Sequence, residues 1–238
     1  MVILGGDKAE ILRLTSSLDS YFHDVKTLPA SPKAAAKESQ DKPAVKLMFK
    51  NTYQAHIALG VRGYNLFDPR RYSLAVLSTI LGGSMSSRLF LSVREREGLA
   101  YYIRTVNEHY TDTGYLATFA GIKQSRLNDA LSIILKEYKT IREKKVSAEE
   151  LQKAKEYIKG KLTLRLEGSD EVASFFGVQE ILSSEPLLLE QIFAKIEAVT
   201  QEDIQNAAKD IFKPERLNLA LIGAFKNDRE FVKVLEGF

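Results

Sequence analysis

Apolar residues recur at two different spacings along this chain, every third or fourth position in some stretches and every second position in others. The first spacing places one apolar stripe on a helix, and the second places one apolar face on a strand. A short apolar run, Val2-Ile3-Leu4, predicts a strand that enters a turn at Gly-Asp. Lys8 to Phe22 then predicts an amphipathic helix with Ile11, Leu14, Leu18 and Phe22 on one face. Val45 to Phe49 alternates weakly and Gln54 to Val61 more clearly, which predicts two strands, expected to be neighbours in one sheet. Asp68-Pro69 offers a cap and a first-turn proline to a helix carried by Tyr72, Leu74, Ala75, Leu77 and Ile80, which stops at Gly82-Gly83.

After the glycines, Ser84 is expected to cap a second helix whose apolar share is Leu89, Leu91 and Val93 and which closes at Gly98. Leu99 to Tyr110 and Thr113 to Gly121 predict strands joined as an antiparallel hairpin by a polar turn at Thr111-Asp112. A long helical period runs from Arg126 to Glu143, and Ser147 to Glu150 forms a capping box for another helix reaching Leu162, with a break near Gly168. Further helices are predicted over Glu171 to Leu182, from Pro186 onward, and from a second capping box at Thr200 to Asp203 as far as Phe212. Leu217 to Gly223 is a strand and Asp228 to Leu235 a closing helix. With strands clustered antiparallel and helices piled on one side, the order predicts an α+β fold of two layers, a mainly antiparallel sheet with helices packed on one face.

Between these patterned regions the stretch 27–44 has no apolar period and contains Pro29, Pro32 and Pro43, which is linker composition. It divides the chain into residues 1–26, a linker over 27–44, and a main domain over 45–238. With 238 residues and 45% hydrophobic content, the chain can bury a full core. Zero cysteines exclude disulfides, thiolate nucleophiles and zinc–thiolate sites. The 34 basic and 31 acidic residues are mixed along the chain with a net charge of +3, which is not the footprint of a nucleic-acid binder. No apolar run approaches the ~18 residues that span a bilayer, and the first residues are too short for the apolar part of an export signal. The compartment stays open, with the cytoplasm favoured.

Two polar-tipped residues stand out at the predicted helix-to-strand turn, Arg94 near the helix end and Tyr101 near the strand start. A guanidinium offers several fixed donors, and a phenol can hydrogen-bond a developing oxyanion. The plainer use of Arg94 is pairing with Glu95 or Glu97 on its own helix, with Tyr101 as a core aromatic. Gly82, Gly83 and Ser84 precede a helix but lack the Gly-x4-Gly-Lys pattern of a phosphate loop. Arg88, after Ser86-Ser87, is expected to brace its helix against a neighbouring carbonyl or carboxylate. His23, His56 and His109 are dispersed and advertise no metal site, since zinc needs convergent ligands.

The run GGSMSSRLF-x3-RE-x2-GLAY over 82–101, with Asp112 and Gly114 further along, resembles the non-catalytic half-domain of the insulinase and mitochondrial-processing-peptidase family of zinc metallopeptidases. The family's zinc signature, two histidines flanking a glutamate on one helical face, is absent from the chain. The resemblance implies an inactive half that pairs with a zinc-bearing half, in the same parent chain or in a separate subunit, around an unfolded peptide. It further implies that Arg94 and Tyr101 reach the peptide backbone, and that Gly82, Gly83 and Ser84 occupy the place of a substrate-contacting loop, here short. It makes residues 1–26 the end of a preceding half-domain, so that the chain derives from a longer parent or is a truncated subunit. Zinc is then expected in the partner half and not in this chain, which alone would be inactive and would self-associate without its partner. The alternative reading is a purely structural subunit with an idle cleft.

Overall fold

The computed structural model describes residues 7–26, 31, 33–183 and 185–238, so the expected strand Val2-Ile3-Leu4 and the prolines Pro29 and Pro32 lie outside the described residues. Contacts divide the chain into two units. One joins Ala36–Ile158 to Phe193–Phe238, and the other joins Lys159–Ile192 to the segment before Ala36. This division differs from the one drawn on composition, because part of the stretch 45–238 falls in the second unit.

The strands are β1 (Ala44–Phe49), β2 (Gln54–Gly63), β3 (Ala100–His109), β4 (Gly114–Lys123) and β5 (Asn218–Gly223). The helices are α1 (Lys8–Phe22), α2 (Arg71–Gly82), α3 (Leu127–Glu143), α4 (Ala148–Arg165), α5 (Ser169–Leu182), α6 (Leu189–Glu197), α7 (Gln201–Ile211) and α8 (Arg229–Glu236). Among the described residues no helix is long and apolar enough to cross a membrane.

In the first unit all five strands form one sheet in the order β1-β5-β2-β4-β3. The hairpin β3–β4 forms as expected, and its turn is closed by the Tyr110 amide on the Thr113 carbonyl at 2.8 Å. β1 and β2 share the sheet but are not neighbours, contrary to the reading from local sequence. β5 inserts between them, antiparallel to β2 and parallel to β1. Nothing within either short strand encodes that choice, because the shared partner comes from the far end of the chain.

Strand alternation gives the sheet two unlike faces. Ala55, Ile57, Leu59 and Val61 of β2, Leu116, Ala120 and Ile122 of β4, and Leu219 and Leu221 of β5 are buried. Against this layer lie α2, α3 and α7. Tyr138 of α3 is fully buried, stacked on Phe212 at 4.1 Å, and its hydroxyl is satisfied by Thr118, whose own hydroxyl also meets Thr105 at 2.7 Å. Burial pushes that phenol well above its ordinary pKa and keeps it neutral.

Both capping boxes form. Ser147 and Glu150 exchange bonds of 3.0 and 3.2 Å at the start of α4, and Thr200 and Asp203 do the same for α7. Asp68 does not cap α2, which starts at Arg71; its carboxylate takes the Arg70 amide instead, and its carbonyl takes the Arg71 amide. From Ala36 onward, the stretch that reads as linker is fastened to the sheet unit. The Ala36 amide donates to Asp112, Thr113 donates to Glu38, and Gln40 exchanges bonds with Leu217 and Asn218.

The second unit has a thinner apolar interior. Asp7 caps α1 by accepting the Glu10 amide at 2.8 Å, yet no residue of α1 or of α5 is fully buried. The apolar face expected on α1 is therefore uncovered, with Phe22 62% exposed, and Ile181 of α5 is 83% exposed.

Candidate functional site

The region of interest begins where α2 ends. Gly82 closes α2, and a Cβ placed there would come under 3.0 Å from the amide nitrogen, Oγ1 and Cβ of Thr105. The missing side chain lets the helix end seat directly on β3. Gly83 follows with its amide bonded to the Thr79 carbonyl at 3.0 Å. Ser84 does not cap the next helix as expected. Its carbonyl accepts the Ser87 amide at 3.1 Å and the Ser87 hydroxyl at 2.6 Å, while its Oγ lies 3.1 Å from that of Ser86. Helical bonding resumes at Arg88 and widens into a π-helix over Phe90–Arg96, a geometry that is rare and often found at functional positions.

This π-helix is anchored on one side only. Leu89 and Val93 are completely buried, whereas Leu91, expected to share the apolar face, is turned outward. Arg88 forms a bidentate bridge to Glu150, with Nε to Oε1 at 2.7 Å and the second nitrogen to Oε2 at 2.8 Å, and Glu137 stands 3.9 Å away. The bracing expected of Arg88 is thus made with a carboxylate 62 residues away that also closes the capping box of α4. The Arg88 bonds hold the Glu150 carboxyl below the usual carboxylate range, and Glu150 raises the Arg88 guanidinium. Gly98, with φ of 59°, reverses the chain, and the Leu99 amide returns to the Val93 carbonyl at 2.9 Å.

Arg94 and Tyr101 flank that reversal. Arg94 is exposed, and its guanidinium carbon lies 4.9 Å from the centroid of Phe90 one turn back. It pairs with neither Glu95 nor Glu97. Tyr101 is the extra residue of a β-bulge between Ala100 and Tyr102, and it is 71% exposed instead of lying in the core. The two side chains share one turn and are joined by no direct bond. Met85, 76% exposed, stands on the same Gly-Ser turn.

The face of the sheet away from the helices is open, and its register places residues in transverse rows. Nearest the turn lie Met48, Ile222, His56, Gly121 and Tyr102, and beside them Lys46, Ala220, Ala58, Phe119 and Arg104. Tyr102 lies across Gly121, where a Cβ would collide with its ring, and its hydroxyl reaches His56 Nδ1 at 3.2 Å. Arg104 rests over the Phe119 ring at 5.7 Å. Sequence reasoning passed over Lys46, Tyr102 and Arg104. Alternation alone could have put them on one face, but only the pairing register joins them.

The three histidines do not meet. His23 is exposed beside Asp24, and His56 sits on the open face. His109 is half-buried, with Nδ1 donating to the Tyr64 carbonyl and Nε2 accepting from Asn107, both at 2.7 Å. Burial lowers its pKa. Nearby, Arg70 joins Asp68 at 2.7 Å and Asp210 at 3.0 Å, and Tyr64 donates to Asp210 at 3.1 Å. Among the described residues no group of three or more His, Cys, Asp or Glu side chains is placed to hold a metal ion.

Known proteins resemble this chain in both sequence and fold. Residues 1–158 match the family described as the peptidase M16 inactive domain. The chain is 35% identical over 214 residues to the uncharacterized zinc protease YmxG of Bacillus subtilis, covering 88% of this chain and 52% of that protein. It is 33% identical over 199 residues to an uncharacterized zinc protease of Streptomyces coelicolor, covering 84% of this chain and 43% of that one. Among solved structures, a protease from Helicobacter pylori superposes with a TM-score of 0.78 at 21% identity, over 92% of this chain and 53% of the other. The chain thus spans about half the length of the curated relatives it matches.

Proposed function

The chain belongs to the peptidase M16 inactive-domain family, and on that premise we propose that it forms the metal-free wall of a peptide-binding chamber whose other half carries zinc. Arg94 and Tyr101 supply hydrogen bonds to the backbone of an unfolded peptide held between the halves. The observation that carries this reading is the pair's placement. An arginine with no carboxylate partner among the described residues and a tyrosine 71% exposed in a bulge stand on either side of one glycine reversal. An exposed phenol ring gains little from the fold, whereas a peptide carbonyl laid across the turn would use both donors at once.

The support beneath the pair suits such a role. Leu89 and Val93 in the core and the Arg88–Glu150 bridge fix the helix that carries Arg94, and Phe90 limits where its guanidinium can swing. Gly82 and Gly83 serve this arrangement as close-packing positions. Ser84 bonds within its own turn, and a peptide contact from it would add to that bonding. In this reading the other half supplies the zinc, and no chemical step is assigned to this chain.

The test is made on the complete assembly with its zinc-bearing half. Arg94→Ala and Tyr101→Phe are each expected to lower turnover by about a hundredfold, the scale of one lost oxyanion-type donor, while thermal stability stays within about a degree. Turnover per folded molecule that stays within a few-fold in both variants would sink the reading.

A further inference from the structure

We infer that the open sheet face selects peptides carrying an acidic side chain, and that Arg104 is the residue that receives it, with Lys46 at the opposite end of the same row. This rests on the chamber reading and deepens it by naming a substrate class.

The row Lys46–Ala220–Ala58–Phe119–Arg104 crosses all five strands. Its ends lie about 19 Å apart at the usual interstrand spacing. Between its two ends the row is low, two alanines and one half-buried aromatic ring. Both ends are exposed cations, and among the described residues neither has a carboxylate within ion-pair distance. Arg104 is not loose. Its guanidinium carbon lies 5.7 Å from the centroid of the Phe119 ring, a cation–π contact that restrains the side chain at this end of the row while its N–H donors stay open to a ligand.

Elsewhere on the face the charges largely offset one another, which leaves Lys46 and Arg104 as its unpaired cations among the described residues. Arg62 lies two rows further along, 3.9 Å from the half-exposed Glu38, and Glu108 is the acidic residue in the rows. Glu108 is four residues from Arg104 on β3, about 14 Å along an extended strand, too far to neutralise it. An acidic side chain laid over Arg104 meets a positioned, unpaired partner, and a basic one meets repulsion.

The register gives the position. Tyr102 is adjacent to Tyr101, and its row stands two residues from that of Arg104, about 7 Å. A peptide running alongside β3 has the same repeat. Its acidic side chain would therefore lie about two residues from the bond held at Tyr101.

The experiment uses the complete assembly and matched fluorogenic peptides in which glutamate and glutamine are exchanged one position at a time along the cleaved sequence. We expect kcat/KM to favour glutamate about fivefold, the upper end for one exposed charge pair, at a position about two residues from the cut. The preference should fade at high salt. Arg104→Gln should bring the ratio to one, and Arg104→Glu should invert it in favour of glutamine at that position. Arg126→Gln, which removes a positive charge outside these rows, should leave it in place. A ratio of one at every position, or a preference that survives Arg104→Glu, overturns the inference whichever way Arg94 and Tyr101 behave. Loss of turnover in Arg94→Ala with no charge preference would reject this inference alone and leave the chamber reading standing.

Discussion

Gly82→Ala separates packing from substrate contact at the Gly-Gly turn. Alanine is ordinarily the better helix residue by about 1 kcal/mol, so a position free of contacts would be stabilised. Here the new methyl would sit under 3.0 Å from three atoms of Thr105, whereas ordinary contact starts at 3.4 Å. One of those atoms is a backbone nitrogen in the middle of β3, and the Thr105 hydroxyl is tied to Thr118, so neither can step aside cheaply. Overpacking costs about 1–3 kcal/mol, and a clash with backbone belongs in the upper part of that range, about 2–3 kcal/mol, so that after the helix gain of about 1 kcal/mol the net loss is about 1–2 kcal/mol. For a chain of this size that corresponds to a fall in Tm of roughly 2–8 °C. Thermal and urea melts followed by circular dichroism measure it, alongside turnover per folded molecule in the assembly. A melting point that stays or rises would refute the packing account. If turnover also collapsed in that case, Gly82 would be a substrate contact after all.

Two further outcomes concern the ion pairs and the half-buried histidine. Glu150→Gln should cost about 1–2 kcal/mol, because it breaks both the bidentate grip on the partly buried Arg88 and one arm of the α4 cap. Since the Glu150 pKa is lowered in the fold, its contribution is complete above the ordinary glutamate value of about 4.5 and is lost as pH falls through the lower folded value. Urea melts from pH 7 to 3 should therefore show a flatter acid limb in the variant, and an unchanged limb would contradict the assignment. His109 is also held below its ordinary value, chiefly by burial and also by Arg71, against the opposing pull of the Tyr64 carbonyl, Glu108 and Asp68. Its contribution is complete above about pH 6.5 and declines as pH falls, so His109→Gln should flatten the stability profile between pH 7 and 5. Nuclear magnetic resonance titration of the ring supplies the direct check, and a pKa at or above 6.5 would overturn it.

What could be read in advance was local. The hairpin, both capping boxes and the long period of α3 are written within a few residues of where they act, and each is found in place. Distant pairings were hidden. Glu150 as the partner of Arg88, β5 as the neighbour of both β1 and β2, and Thr105 as the reason for Gly82 all depend on residues brought together only by the completed fold. The π-helix escaped because its sequence also satisfies an ordinary helix, and the difference lies in how Leu89 and Val93 are drawn into the core while Gly98 turns the chain. Arg94 and Tyr101 were visible as a pair through their motif, but their exposure was not. A tyrosine at the start of an alternating strand is normally assigned to one face, and the bulge that sets Tyr101 aside from that alternation has no signature in neighbouring residues. The cationic row needed register, which a period of two leaves undetermined.

The position of β5 also fixes the order in which this sheet can be finished. Residues 218–223 form the middle partner for residues 44–49 on one side and 56–60 on the other. During synthesis, β2, β3 and β4 can assemble as soon as the hairpin emerges, but β1 must wait without a ladder partner until residues 218–223 have left the ribosome. A contact of such sequence separation carries a large loop-closure cost and is expected to form late. Until then, β2 presents a bare edge to the surroundings, the condition under which nascent chains pair with the wrong strand. A fragment stopped at residue 158, where the family match ends, would keep that edge permanently.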